Sequence, residues 1–364
     1  MDYDQPREVA TGFGRSLEIL LEIMQWMDRP TLLNVMLTCR ALHANGLRLL
    51  LVPQVSIEES KQLRSFCRFI SAGSSRWQYL QSLHLKWDTS LFPPDASAMA
   101  IEKAILLQVA RNATSLKRLF IEGWRPIPIP LYDETFFGSL RNLVELRLQY
   151  DYSVDLGAVQ LLSSLKCPLR VVSLKFPVSG RRIVDFIEVM APFRETLEEL
   201  HADSVVSTRR DPEIIFPKMK DLSLAHFNDW DGPFLMKTFP NLQHLRYEAY
   251  DESGIRQIPD LYDTSFEQLT IARLENLHNQ LRTGCAWPSM LSVSGPIAWV
   301  YAMAIACPIN KLSLTAETIS DGLYPVYHAE CYPSIMASAQ PSVLYVRLLS
   351  EDDSFEHDIA QLFA

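Results

Sequence analysis

The sequence lacks the short motifs that mark the common enzyme classes. It contains no GxSxG, no P-loop, no GxGxxG and no HExxH, the patterns that supply nucleophiles, phosphate cradles or metal ligands. Its eight histidines are dispersed along the chain, so a catalytic triad would need an unsupported coincidence. We therefore expect a non-catalytic protein that needs no cofactor.

Clusters of basic residues and of cysteines are also missing. The formal net charge is -9, whereas phosphate binding needs clustered lysine and arginine, so nucleic acid is not an expected partner. The cysteines have no CxxC or other paired spacing, which predicts reduced thiols rather than a disulfide framework or a metal site. They are Cys39, Cys67, Cys167, Cys285, Cys307 and Cys331.

No apolar run is long enough to span a membrane. Prolines and a glycine divide the uncharged stretch between Arg282 and Lys311 and leave only Ile297–Cys307 continuous, too short for roughly 30 Å of hydrocarbon. We predict that this run is a buried helix and that no membrane is involved. The first fifteen residues have no apolar core of the secretory type, so we expect a cytoplasmic and/or nuclear location.

What the sequence does contain is a phrase of leucine-like residues at positions one, four and six, repeated ten times. Apart from one interval of 43, successive middle residues are 22 to 36 apart, and the 43 divides into 22 and 21 if a degenerate strand lies at Leu291–Val293. Such a period is typical of a leucine-rich repeat solenoid. The phrases are Leu80-Leu83-Leu85, Leu116-Leu119-Ile121, Leu143-Leu146-Leu148, Leu169-Val172-Leu174, Leu197-Leu200-Ala202, Met219-Leu222-Leu224, Leu242-Leu245-Tyr247, Phe266-Leu269-Ile271, Ile309-Leu312-Leu314 and Pro341-Leu344-Val346.

Each phrase predicts a short strand. Positions four and six point into the core together, and positions three, five and seven face outward. The intervening residues suffice for a helix and two loops, and Ala98–Val109 and Ile183–Met190 have helix-like patterns. We therefore predict an α/β repeat of about 10–11 irregular units over residues 80–350. Parallel strands would form its concave face and helices or loops its convex face, and an acidic tail would follow at 351–364.

A different pattern precedes the repeats, because residues 16–51 show helical periodicity. Ser16 can cap a helix with a wide apolar face, Asp28-Arg29-Pro30 ends it, and Thr31 starts another. Three short helices in about forty residues have too small a core to be stable alone. We place this all-α motif at 14–53 and a linker or first helical cap at 54–79.

The N-terminal segment resembles an F-box. Glu18 and the aliphatic residues after it lead to Trp26-Met27-Asp28, and Leu32-Leu33 precedes Leu37-Thr38-Cys39-Arg40, as in that family. An F-box followed by leucine-rich repeats is a familiar architecture, seen often in fungal chains with loose repeats. One position departs from the family, since Arg15-Ser16 stands where the family usually has Leu-Pro, and that proline contributes to the adaptor contact.

The resemblance implies a substrate-recognition subunit of a Skp-cullin-F-box ubiquitin ligase. Such a subunit catalyses nothing; it holds a target near the ubiquitin-conjugating enzyme and raises its effective concentration there. The alternative, which the missing Leu-Pro pair keeps open, is a leucine-rich repeat scaffold with no ligase role. The motif positions imply contacts to the Skp adaptor, and through it a cullin, from Leu17, Ile19, Leu20, Ile23, Met24, Trp26, Met27, Leu32, Leu37 and Cys39.

The target protein would bind the outward strand positions, which mix charge, hydrogen-bonding groups and aromatic rings. For any single position the alternative is a solvated sheet face that contacts nothing. Aromatic residues just after a strand are added as possible anchors. The candidate target-binding residues are His84, Lys86, Trp87, Arg118, Phe120, Arg147, Tyr150, His201 and Arg246.

Overall fold

The structure, a computed structural model of the chain, describes residues 10–86, 108–109, 111–124, 140–150, 162–175, 185–203, 213–225, 231–248, 265–317 and 329–349. In this part of the chain, one sheet contains 11 strands in sequence order, and every neighbouring pair is parallel. The predicted α/β repeat solenoid is confirmed at this level. Trp87 and the acidic tail lie outside the described residues.

The strands are short, and most of them follow the leucine phrases. Their bounds are β1 Val55–Ile57, β2 Ser82–Lys86, β3 Arg118–Trp124, β4 Glu145–Tyr150, β5 Val171–Lys175, β6 Glu199–Asp203, β7 Asp221–Ala225, β8 His244–Glu248, β9 Met290–Pro296, β10 Ile309–Glu317 and β11 Val343–Leu349.

The described helices lie before and between these strands. They are α1 Ala10–Met24, α2 Arg29–Met36, α3 Arg40–Leu51, α4 Ser60–Ser71, α5 Phe186–Met190, α6 Gly232–Thr238, α7 Phe266–Thr283, α8 Ile297–Met303 and α9 Tyr332–Ala339, with 3₁₀ turns at Ser74–Tyr79, Ala191–Phe193 and Ala329–Cys331.

The leucine phrase explains how each repeat buries its strand. In β2, Leu83 and Leu85 point into the core, and Leu80 joins them from the incoming turn; all three are fully buried. The same positions of the following strands are in register, Leu83 beside Leu119 and Leu85 beside Ile121. Because each unit covers the apolar face of the next, one continuous core runs from Leu51 to Ala339.

A polar residue just before the first leucine of several repeats ties neighbouring units together. The side-chain amide of Asn142 donates to the Thr114 carbonyl at 2.7 Å, and that of Asn241 donates to the Pro217 carbonyl at 2.8 Å. The Thr196 hydroxyl donates to the Leu169 carbonyl at 2.8 Å. These bonds satisfy backbone acceptors in the turns, which β-pairing does not reach.

One predicted strand is wrong. Phe266-Leu269-Ile271 lies at the start of α7, which Ser265 and Gln268 begin with a capping box and Gly284 ends in the left-handed conformation. The strand that follows β8 is instead β9, so the degenerate strand at Leu291–Val293 is real. It pairs with both β8 and β10. A phrase spaced one, four, six also fits one helical face, so a short window cannot separate the two.

Two further helices, α8 and α5, lie where the sequence predicted helical segments. The side chains of α8 are all buried, as predicted for Ile297–Cys307, although the helix itself ends at Met303. The predicted pattern at Ile183–Met190 contains α5, whereas most of Ala98–Val109 lies outside the described residues. Among the helices that the structure describes, none is long and apolar enough to cross a membrane.

The chain from residue 10 to 57 forms the first end of the described fold. Ser16 is not a helix cap, because α1 already begins at Ala10. The cap of α2 is Asp28, whose carboxylate accepts from the Thr31 amide at 3.1 Å, and Pro30 occupies the first turn, where an amide is not needed. After α3, the edge strand β1 pairs with β2 and was not predicted.

Candidate functional site: two candidate surfaces

The helices α1, α2 and α3 have a small core of their own. Met24, Leu32, Met36 and Leu42 form a buried cluster that is separate from the main one. Gly46 of α3 permits this packing, because a methyl group there would overlap the middle of the Met36 side chain. Two of the predicted adaptor contacts, Met24 and Leu32, belong to this cluster, and both are buried, so they support the surface of the helices without forming it.

Large apolar side chains remain exposed on α1, α2 and the turns that follow them. Ile19 is 59 % exposed, Trp26 87 % and Leu37 81 %. We call the set the N-terminal apolar surface; its members are Ile19, Leu20, Ile23, Trp26, Leu33 and Leu37. Ile19 and Ile23 lie one helical turn apart on α1, and exposed large apolar residues that are neighbours typically mark an interaction site.

The remaining residues of the predicted adaptor set lie at the border of this surface. Leu17 and Met27 are half-buried against the small core. Cys39 is exposed and precedes α3 without capping it through its side chain. Leu33, which was not among the predicted contacts, belongs to the surface; in the sequence it is one of two adjacent leucines, and only packing shows which of them faces out.

The second surface is the side of the sheet that faces away from the core, here called the open face. One residue from each strand lies in register across it, in what we call the middle row. From β1 to β11 the middle row reads Ser56, His84, Phe120, Arg147, Ser173, His201, Ser223, Arg246, Ser294, Ser313 and Tyr345. The predicted target-binding residues His84, Phe120, Arg147, His201 and Arg246 are thus brought into a single line.

Polar and aromatic contacts order the first part of the middle row. His84 Nε2 lies 3.0 Å from Glu122 Oε1, and the His84 ring meets Phe120 edge-on with centroids 6.0 Å apart. The Arg147 guanidinium lies 4.9 Å from the Phe120 ring centroid, and its Nε donates to Glu145 Oε1 at 2.8 Å. Cation–π and ion-pair contacts together hold Arg147 in place.

A groove crosses the open face between β4 and β8. Its volume is about 280 Å³, and its lining includes Ser173, His201 and Ser223 from the middle row. Its wall contains charges of both signs, from Arg147 and Lys175 and from Asp203 and Glu248. Burial lowers the pKa of His201 below its usual value, and Arg246 and Arg147 add to the lowering, while Asp221 and Glu199 oppose it. The imidazole at the floor is therefore neutral at physiological pH.

The other predicted target-binding residues lie on the open face or have side chains outside the described part of the structure. Lys86 and Arg118 are exposed on β2 and β3. Tyr150 ends β4, but its side chain lies outside the described part of the structure. Sequence reasoning missed the groove residues Ser173 and Ser223. A serine at an outward strand position is common, and only the packing of neighbouring strands shows that these two lie at the floor of the groove.

Metal ligation and thiol chemistry can be examined among the described residues. No group of three or more potential ligands for a metal ion occurs among them. The six cysteines are free, and burial raises the pKa of Cys167 and Cys331 to about 12 and that of Cys307 to about 11. Since the thiolate is the reactive form, these thiols are inert at neutral pH. In the comparisons with known proteins, no family model matches the chain and no curated protein is similar to it.

Proposed function

We propose that the protein is the substrate-recognition subunit of a Skp-cullin-F-box ubiquitin ligase. The N-terminal apolar surface would bind the Skp adaptor, and the open face of the solenoid would bind the target. The observation that carries the proposal is that the F-box-like helices keep Ile19, Leu20, Ile23 and Trp26 exposed after filling their own core.

The exposed side chains of the N-terminal apolar surface offer several anchors for an adaptor contact. Fully burying one large aliphatic side chain contributes about 1.5–3 kcal/mol. Three or four anchors among the six exposed residues would contribute roughly 5–12 kcal/mol, which is comparable to the cost of association. The small core behind them, with Met24 and Leu32, keeps the helices in a fixed arrangement and so limits the ordering that binding would require.

The two surfaces belong to one connected fold, which suits a receptor that must position its target. Leu51 at the end of α3 belongs to the main core, the Arg29 guanidinium donates to the Gln54 carbonyl at 3.0 Å, and β1 joins the sheet. A ligase subunit works by holding its target at a set distance from the conjugating enzyme, so this connection supports the proposed mechanism.

The second candidate function is a protein-binding scaffold with no ligase role. One observation favours it: α1 runs through Arg15-Ser16 without a break. A proline at position 16 would remove a helical amide there, and this chain lacks the proline that the family brings to the adaptor.

A pull-down with the purified Skp adaptor distinguishes the two functions. The full chain should bind, and the double variant Ile19→Asp/Leu20→Asp should lose about a hundredfold in affinity, the effect of two unburied aliphatic anchors. A matched control is Ile271→Asp/Leu274→Asp on α7, where both side chains are also exposed; it should bind as the wild type does. Absence of wild-type binding, or full binding by the first variant, would leave the scaffold function.

A further inference from the structure

We propose that the groove above Ser173, His201 and Ser223 binds an extended basic segment of the target, with a lysine or arginine side chain directed to Glu199 and Asp221. The inference rests on the proposed function, since it names the chemistry of the target that the open face would hold. It does not depend on the adaptor contact.

The floor of the groove consists of polar groups that lack partners. Ser173, His201 and Ser223 lie side by side on β5, β6 and β7. Ser223 is only 6 % exposed and lines the groove, yet no residue in the described chain forms a hydrogen bond with its side chain. The His201 ring and the Ser173 hydroxyl likewise have no hydrogen-bond partner among the described residues. Buried polar groups are normally satisfied, so Ser223 points to a bound ligand that supplies a partner, and the half-buried Ser173 and His201 offer further donors and acceptors beside it.

The dimensions of the floor suit a peptide. Two strand spacings separate Ser173 from Ser223, roughly 10 Å at about 4.8 Å for each spacing. An extended chain advances about 3.3 Å for each residue, so about three residues span the floor. The amide and carbonyl groups of such a segment can both donate to and accept from the serine hydroxyls and the neutral imidazole.

The two arginines in the middle row do not form a site for one anion. Arg147 and Arg246 are four strand spacings apart, roughly 19 Å, too far to share one phosphate or carboxylate. Each also has an acidic neighbour on its own strand: Arg147 Nη2 lies 2.7 Å from Glu145 Oε1, and Arg246 Nη1 lies 3.7 Å from Glu248 Oε1. Each arginine therefore already has an acidic neighbour before any ligand binds.

Two carboxylates lie just beyond the residues that line the groove. Glu199 and Asp221 lie directly opposite each other on β6 and β7, one outward position before His201 and Ser223, and neither forms an ion pair with a described residue. Like charges in directly opposed strand positions repel. A lysine or arginine side chain between the two carboxylates would remove that repulsion and form charge-assisted hydrogen bonds. A basic segment therefore fits the site better than an acidic or phosphorylated one.

The test uses the full-length protein with isotope-labelled histidine and four capped tripeptides that differ only in their central residue. The peptides are acetyl-Ser-X-Ser-amide, where X is lysine, arginine, norleucine or glutamate, and the readout is the His201 ring signal in NMR. We expect the lysine and arginine peptides to shift this signal saturably and to bind about fivefold more tightly than the norleucine peptide, as for one exposed charge contact. The glutamate peptide should bind weakest.

A shape-conserving double variant tests the role of the two carboxylates. Glu199→Gln/Asp221→Asn should keep the norleucine affinity and lose the preference for lysine and arginine. Equal shifts from all four peptides, a preference for glutamate, no shift from any of them, or an unchanged preference in the variant would overturn the inference. Adaptor binding, measured on the same samples, reports separately on the proposed ligase function.

Discussion

The helix α7 directs polar side chains inward, and this arrangement leads to a prediction about stability. Its inward side chains include Arg273, Asn276 and Gln280, all buried. They donate to the end of α8: Asn276 Nδ2 to the Ala302 carbonyl at 2.7 Å, Gln280 Nε2 to the Ala304 carbonyl at 2.9 Å and Arg273 Nη1 to the Tyr301 carbonyl at 2.9 Å. The last carbonyls of a helix have no partner within it, so α7 serves as a side-chain cap for α8.

We predict that Asn276→Leu lowers the free energy of unfolding by about 1–3 kcal/mol, the cost of leaving a buried backbone carbonyl without its donor. Leucine has as many side-chain heavy atoms as asparagine and the same branching, so it removes the donor without leaving a cavity. The measurement is urea unfolding of the full chain, in which a lower midpoint with an unchanged slope indicates a stability change.

The matched control is Asn279→Leu on the same helix. Asn279 is only half-buried, and none of the described residues forms a hydrogen bond with its side chain. This variant should change stability by no more than about 0.5 kcal/mol. If both variants lose the same amount, or if Asn276→Leu is as stable as the wild type, the cap makes no net contribution and the reasoning fails.

Three further predictions concern other parts of the fold. Gly46→Ala should speed amide hydrogen exchange in α2 and α3, because the new methyl group overlaps the Met36 side chain. Overpacking costs about 1–3 kcal/mol, which outweighs the gain in helix propensity of about 1 kcal/mol. Unchanged exchange would contradict this prediction. Gln340→Gly should raise the free energy of unfolding in urea by about 0.5–1 kcal/mol. Gln340 is exposed and follows α9 with φ 41°, in the left-handed region that glycine adopts without strain. A loss of stability would refute this prediction. His201 should titrate by NMR below its usual pKa, and Asp221→Asn should lower that pKa further by removing the charge that raises it most. Since an unfolded His201 binds its proton more readily, its contribution to stability is present above pH 6.5 and is lost as the pH falls through the lowered pKa.

The sequence predicted the repeat because burial alone sets its spacing. Leu146 and Leu148 are both buried, and Leu143 approaches them from the turn, as the alternation of a strand requires. The same reasoning failed at Phe266-Leu269-Ile271, where Leu269 is buried but Ile271 is exposed. The cap residues Ser265 and Gly284 favour a helix there. Because several inward positions of α7 are polar, a search for apolar periodicity did not identify its buried face.

The two candidate surfaces were predictable to different degrees. Motif positions identified Ile19, Leu20 and Trp26, which are exposed, but equally Met24 and Leu32, which are buried. One apolar stripe serves both the small core and the surface, and only the angle at which α1 crosses the other helices divides it. The groove was harder to predict from the sequence. His201 was identified as an outward residue, but nothing in the sequence distinguished Ser223.

By itself, the sequence determined that strands would stack in parallel and which side chains would enter the common core, because that pattern follows from the two-residue period of a strand and needs no partner. Only the tertiary structure decided which leucines of the first helices stay exposed, that an edge strand at Val55–Ile57 precedes the first leucine phrase, and that Ser173, His201 and Ser223 share a floor. These features depend on register and packing between segments far apart in the chain, and local periodicity contains no information about either.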